Sequence, residues 1–306
     1  MLSKIDIQKE IGKSICIYPL SLPNIKENSI NLSASAYAWS LKGGSVYVSN
    51  PSGNGKPTFS LNPVGSATPP KVIEPKTSAV IETDTKEKYI ILFPHSTTLI
   101  ETVEVLSVGN NIGGTYHSKV GLVSQGIGHI GTMVGPNFSG ESLIAIHNIS
   151  DELVSIKCGE SFVSVVFHYL DTSYKKINPT VSGHTDKFSE LGIILSSEES
   201  AELNADWKKQ HSEVKHRLIE SNSYSELQKI IKEQKWESRK KLINKKNIFW
   251  VAITLVLIVG LGFLSNFIDS KNGNTLWGDR YWNVCFSGAF VAIISQILKH
   301  ILNNNE

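Results

Sequence analysis

The segment His117-Ser118-Lys119 has the residue types that could bind a phosphate group. Glycines flank it, so backbone N–H groups and the Lys119 ammonium could converge on an anion. The same residues could equally form an ordinary turn between strands. The sequence leaves these two interpretations open.

Two carboxylates, Glu104 and Glu141, could act as general acids or bases if they reached a substrate. Because Glu141 follows Gly140, we expect it to be a solvated turn residue. Nothing pairs the histidines at metal-ligand spacing, so local hydrogen bonds on strands are expected for His117, His129 and His147. Isolated cysteines argue against a zinc site and a disulfide framework; they are Cys16, Cys158 and Cys285.

The elements that must position these residues are predicted to be β-strands. Between Gly113 and Phe167, short apolar runs are broken by glycine or polar residues every eight to twelve positions. Ile144 and Ile146 alternate with Leu143, Ala145 and His147. This period of two, with regular turn signals, predicts antiparallel strands in a mainly β sandwich or barrel.

The order of motifs in this region resembles the dCTP deaminase and dUTPase superfamily. The resemblance rests on Pro136-x-Phe138-x-Gly140, Asn148, Gly159-Glu160-x-Phe162 and Phe167, in that order. Outside this stretch it also covers Ser29-Ile30-Asn31-Leu32, residues 91–104, Asp186-Lys187-Phe188 and residues 192–196. It therefore extends over residues 1–196 and implies a dUTPase-like β domain.

The resemblance implies a homotrimer that binds a nucleotide where neighbouring subunits meet. The nucleotide-binding residues carried over are His117, Ser118, Lys119, Gly135, Asn148, Ser164, Lys187 and Phe188. No cofactor is identified, and Mg²⁺ is expected only through a bound nucleotide triphosphate.

The same resemblance predicts that the catalytic carboxylates are missing. Ala145 stands where deaminases have the glutamate that moves protons, and Gly135 stands where dUTPases have an aspartate. Other family side chains are replaced by His117, Ser164, Phe188 and Glu190. An alanine methyl group cannot transfer a proton, so we expect no catalytic residue at this position.

Residues 197–246 are predicted to be a helical linker of two helices, broken near residues 221–223. Ser196 with Glu199, and Ser223 with Glu226, have the spacing of capping boxes. Apolar residues fall near heptad positions, but an amphipathic helix packing on the β domain would give the same pattern.

Residues 247–306 are predicted to contain two transmembrane helices. Residues 247–268 and 281–298 carry no charge, and a bilayer core needs roughly 20 helical residues. Basic residues precede the first span, so the positive-inside rule places the β domain in the cytoplasm and the protein in the inner membrane. They are Lys235, Arg239, Lys240, Lys241, Lys245 and Lys246.

These features favour a membrane-anchored, nucleotide-binding sensor or effector without catalytic activity. Two-span effectors of this kind are familiar in bacterial antiphage defence, so a defence role is expected from the resemblance. A formal net charge of +2 gives no reason to expect a nucleic-acid partner. Two alternatives stay open: an active deaminase or dUTPase tethered to the lipid bilayer, and a structural protein whose barrel only trimerises.

Overall fold

The computed structural model describes residues 1–49, 56–63, 69–129, 131–174, 185–242, 267 and 270–271. Their strands are β1 (Ile15–Tyr18), β2 (Ile30–Ser40), β3 (Gly44–Ser49), β4 (Thr58–Ser60), β5 (Lys71–Ile73), β6 (Thr77–Ser78), β7 (Val80–Glu82), β8 (Lys88–Leu92), β9 (Ser96–Val108), β10 (Ile112–Ser118), β11 (Ile127–Gly128), β12 (Met133–Val134), β13 (Ser139–Asn148), β14 (Val154–Lys157) and β15 (Ser161–Tyr169). The helices are α1 (Lys4–Glu10), α2 (Val120–Val123), α3 (Thr185–Leu191), α4 (Ser197–Leu203), α5 (His211–Glu220) and α6 (Asn222–Leu242). Short 3₁₀ turns occupy Leu22–Asn24 and Asp206–Lys209. The mainly β fold class is confirmed.

The strands of the described residues form one large sheet and two small ones. The large sheet has nine strands in the order β11-β13-β9-β2-β15-β10-β12, with β1 paired to β9 and β6 paired to β2. The small sheets are β14-β8-β7 and β4-β3-β5. All of these strand pairs are antiparallel.

Alternation along β13 sets which side chains face the core. Ile144, Ile146 and Asn148 are buried on one face, whereas Glu141 and Ala145 lie half-buried on the other. Successive strand residues point to opposite faces, so the predicted period of two is confirmed here.

The turn before β13 needs a residue that tolerates a left-handed backbone. Asn137 has φ of 61° and takes the position that holds glycine in the related motif. Asparagine adopts this conformation more readily than most residues with a Cβ, so the turn is kept without glycine.

The helices after residue 196 follow the predicted signals in part. Ser196 and Glu199 form the predicted capping box at α4. The second predicted box is wrong: the Ser221 hydroxyl, not that of Ser223, accepts from the Tyr224 amide at 3.2 Å and caps α6.

Helix α5 packs on β1 and β9 with Val214 and Leu218 fully buried. Its apolar residues therefore belong to an amphipathic helix on the β domain, one of the two interpretations left open. Residues Met1–Lys229 form a compact unit that includes α4 and α5. The structure also has a helix at α1 that the sequence reading missed, although Ser3 and Asp6 form its capping box.

The predicted membrane spans, 247–268 and 281–298, lie outside the described residues apart from Phe267. Within the part of the chain that the structure describes, no helix is both long and apolar enough to span a bilayer.

Candidate functional site

Three polar residues lie in one row across the large sheet. His117 and Ser164 were predicted to bind a nucleotide, and Asn31 was not. His117 on β10 is opposite Ser164 on β15, and Ser164 is opposite Asn31 on β2. The Ser164 hydroxyl donates to Asn31 Oδ1 at 2.9 Å, while His117 Nε2 lies 2.9 Å from Thr115 Oγ1. Residues directly opposite on antiparallel strands share a face, so these side chains can meet one ligand.

The end of β10 is joined to β13 through β11. Ser118 Oγ lies 2.6 Å from His129 Nδ1 and accepts a bond of 3.0 Å from the His129 amide. Gly128 on β11 is opposite His147 on β13, whose Nδ1 is 2.9 Å from Thr97 Oγ1. We call this region, with Ser118, His129 and His147 at its centre, the β10–β13 corner.

Burial lowers the pKa of His129, a hydrogen bond to the Tyr116 backbone opposes this, and the nearby His117 and His147 rings lower the pKa further. His129 is therefore neutral at pH 7 and can exchange hydrogen bonds with a ligand without adding charge. The histidines make local hydrogen bonds, as predicted. No group of three His, Cys, Asp or Glu in the described residues could hold a metal ion.

Lys119 supplies positive charge beside Ser118. Burial lowers the pKa of Lys119, and the charge of Lys26 lowers it further, so the two ammonium groups lie close enough to repel one another. An anion bound near both would relieve this repulsion. Lys26 was not among the predicted site residues, because the sequence gives no sign that its loop lies near residue 119.

Asn148 stabilises the end of β13. Its side-chain amide donates to the carbonyls of Leu92 at 2.9 Å and Glu152 at 2.8 Å. Its Oδ1 accepts from the backbone and hydroxyl of Ser150. These bonds occupy both ends of the amide group and link the strand to the following turn.

Ala145, the position of the deaminase glutamate in the resemblance, packs against an apolar cluster. The buried members of this cluster are Trp39, Leu99, Phe188, Ile193 and Leu203. Phe188 meets Trp39 edge to face, with ring centroids 4.5 Å apart. The Trp39 indole donates to Glu199 Oε1 at 2.9 Å. Residues 188–203 thus cover this face of the sheet within one chain.

The two carboxylates considered from sequence lie in different places. Glu141 is not a solvated turn residue: both of its oxygens lie 2.9 Å from Lys208 Nζ, and its side chain is 11% exposed. The turn expectation failed because nothing in the sequence places Lys208 near β13. Glu104 is buried and accepts from Ser33 through the backbone and the hydroxyl.

A third carboxylate, Glu101, adjoins Glu141 and was missed. Burial and the hydrogen-bonded Glu141 raise the pKa of Glu101 well above its usual range. Burial alone would lower the pKa of Lys208, but bonds to Glu202 and Glu141 outweigh it and raise the pKa. Glu141 and Glu202 thus pair with the Lys208 ammonium, whereas Glu101 Oε2 is buried with no hydrogen-bond partner among the described residues.

Two other predicted nucleotide-binding residues belong to other segments of the chain: Gly135 follows β12, and Lys187 lies on α3. An added Cβ at Gly135 would meet no atom within 4 Å, so the backbone there is open. Lys187 lies on α3, with its ammonium 2.8 Å from Glu190 Oε2.

Comparisons with known proteins support the fold. No protein-family model matches the chain. A dCTP deaminase of Pyrococcus horikoshii is 30% identical over 86 residues, which are 28% of this chain and 55% of the deaminase. The 2'-deoxycytidine 5'-triphosphate deaminase of Agrobacterium tumefaciens aligns with a TM-score of 0.36 and 10% identity, over 54% of this chain and 47% of that one. The dUTPase from phage phi11 of S. aureus aligns with a TM-score of 0.26 and 16% identity, over 29% of this chain and 75% of that one.

The chain therefore spans about half the length of the deaminases that it matches, 55% in sequence and 47% in structure. TM-scores this low do not define a shared fold. The sequence match supports a dCTP deaminase-like fold for the part of the chain that it covers.

Proposed function

We propose that this protein binds a deoxynucleotide without converting it. The observation that carries the proposal is the packing of Ala145 against the apolar cluster, where the resemblance expects a catalytic glutamate. A methyl group among apolar side chains offers no proton transfer. Glu141, the nearest carboxylate along β13, is paired with Lys208.

The phosphate groups would bind at the end of β10. Ser118 and Lys119 come from the predicted phosphate segment, and Lys26 adds a second positive charge. Mg²⁺ would enter only with a triphosphate. By the resemblance, a second subunit of a homotrimer completes the pocket, so sedimentation of the protein as a stable monomer would contradict this part.

Nucleotide binding is tested by replacing Lys119 with glutamine. Hydrogen bonds to charged groups contribute about 1.5–3 kcal/mol, so Lys119→Gln should weaken dCTP binding by about tenfold or more. Isothermal titration calorimetry on the full chain measures this, with the exposed Lys13→Gln as the matched control. Equal affinities in all three proteins would contradict binding at β10.

The predicted spans would anchor the β domain to the cytoplasmic face of the inner membrane. Nucleotide binding would change the packing of these spans and so alter the membrane, as expected of an effector in antiphage defence. This part rests on the charge-free sequences of residues 247–268 and 281–298.

A further inference from the structure

A cavity lies beside Glu104 and involves none of the proposed nucleotide-binding residues. Its volume is about 350 Å³, and its wall includes Pro19, Asn24, Ser33, Glu104, Gly159 and Ser161. It forms where the turn after β1 and the turn between β14 and β15 meet strands β2 and β9. Cavities of roughly 300–1,000 Å³ are typical of small-molecule sites.

Glu104 presents a carboxylate to this cavity with only part of its hydrogen-bonding capacity used. Its side chain is 4% exposed. Oε2 accepts from the Ser33 amide at 2.7 Å, and Oε1 accepts from the Ser33 hydroxyl at 2.9 Å. A third bond, from the Glu104 backbone N–H, also reaches the carboxylate. A carboxylate can accept about four hydrogen bonds, so about one acceptor position remains free.

The charge of Glu104 has no basic partner among the described residues. Burial raises the pKa of Glu104, the bonds from Ser33 and from its own backbone N–H oppose this, and no lysine, arginine or histidine contributes. A buried carboxylate without a cation is costly, so a bound cation would stabilise it.

Ser161 adds an unused polar atom to the same wall. Its Oγ is buried and has no hydrogen-bond partner within the described part of the chain. Ser161 lies opposite Ser33, and a β-bulge follows it on β15. Bulges are common next to functional sites. Gly159 leaves adjacent space open, because an added Cβ there would meet no atom within 4 Å.

We propose that this cavity binds a small organic cation with a guanidinium group. A guanidinium carries five N–H donors in one plane, so one N–H can fill the remaining acceptor position of Glu104. A further N–H can reach the Ser161 hydroxyl. Guanidinium is weakly hydrated, so it enters a wall that includes Pro19, Leu20 and Val103 at lower cost than an ammonium.

A free ligand fits better than an arginine from a second copy of the chain. The arginines are Arg217, Arg239 and Arg280, and residues 1–216 contain none. Arg217 lies in the compact unit of residues Met1–Lys229, but its guanidinium already stacks over the Trp207 ring at 4.2 Å, so a second copy would have to break this contact to supply it.

The probe is agmatine, titrated into the full chain by calorimetry, with putrescine as the matched ligand that lacks the guanidinium. Wild-type protein should bind agmatine saturably at one site per chain and bind putrescine at least tenfold more weakly. Glu104→Gln should weaken agmatine binding at least tenfold, and Ser161→Ala severalfold. The exposed Glu74→Gln should bind as wild type.

Absence of saturable agmatine binding, equal binding of putrescine, or undiminished binding by Glu104→Gln would overturn the proposal. If Glu104→Gln does not fold, Ser161→Ala carries the test. Agmatine affinity should not change with protein concentration; a decrease would assign the cavity to a second copy and overturn the free-ligand assignment. Nucleotide affinity is measured separately, so this proposal and the nucleotide proposal can fail independently.

Discussion

At the scale of single residues, the buried charges explain why a carboxylate-rich face need not be catalytic. Lys208 Nζ lies 2.9 Å from both oxygens of Glu141 and 2.7 Å from Glu202 Oε1. Glu101 is buried beside Glu141, whose carboxylate is already paired with Lys208. Burial and, after it, the adjacent Glu141 carboxylate raise the pKa of Glu101 well above its usual range.

Glu101→Gln should remove one source of pH dependence from folding. Since its folded pKa is raised, Glu101 contributes full stability below its unfolded pKa, and this is lost as pH rises through the folded pKa. The glutamine amide can still donate to Glu141 but does not titrate. The free energy of unfolding of the variant should therefore rise relative to wild type as pH increases.

Urea unfolding at a series of pH values from 5 to 9 checks this expectation. Glu104, whose pKa is also raised, is present in both proteins and cancels in the difference. The quantity to compare is the free energy of unfolding of the variant minus that of wild type. If it stays constant or falls as pH rises, Glu101 is ionised in the folded protein.

At the scale of elements, α3 and α4 close the apolar cluster over β2, β9 and β13. Phe188 is 1% exposed against Trp39, and Leu203 from α4 is 3% exposed in the same cluster. These helices thus stabilise the β domain as part of its core.

Phe188→Ala should reduce the free energy of unfolding by about 3–5 kcal/mol, because it leaves a cavity in a packed cluster. Leu191→Ala, on the same helix but 37% exposed, is the matched control and should cost much less. Urea unfolding distinguishes the two. If Phe188 instead serves mainly as a nucleotide contact, its loss will weaken dCTP binding while stability falls no further than in the control.

Local patterns predicted much of this fold. The alternation of side chains with a period of two predicted β13, and the capping-box spacing of Ser196 and Glu199 predicted α4. Both patterns depend only on residues close together in the sequence. The sequence could not show that Lys208 binds Glu141 or that the charge of Lys26 acts on Lys119, since these residues lie far apart in the chain. For the same reason Glu141 was assigned to a turn, and Glu101 was overlooked within an apolar strand.

At the scale of the whole molecule, the proposed effector needs transmembrane helices that pack against one another. Helices that only insert into the bilayer would be an anchor. The predicted second span contains Asn283, Ser287, Gly288, Ser295 and Gln296. Small residues let helices approach, and polar side chains hydrogen-bond across them for about 0.6–2 kcal/mol each. Gln296 is the costliest of these to expose to lipid.

Induced expression of the full chain should depolarise the inner membrane when the activating nucleotide is present. Gln296→Leu should keep the protein in the membrane fraction and weaken this effect, because one contact between helices is lost. A potential-sensitive dye reports the change. If wild-type protein leaves the potential unchanged with every nucleotide tested, the spans are an anchor and the effector proposal fails.

The central claim is that the nucleotide binds and is not converted, and chromatography of the bound nucleotide tests it most directly. Full-length protein is equilibrated with dCTP or dUTP and Mg²⁺, the complex is isolated, and the released nucleotide is separated. We expect saturable binding with dCTP and dUTP recovered intact, because Ala145 stands at the position expected for the deaminase glutamate and Gly135 at that of the dUTPase aspartate. Recovery of dUTP from dCTP, or of dUMP from dUTP, at a rate above that of the buffer alone would contradict the account and identify a tethered enzyme.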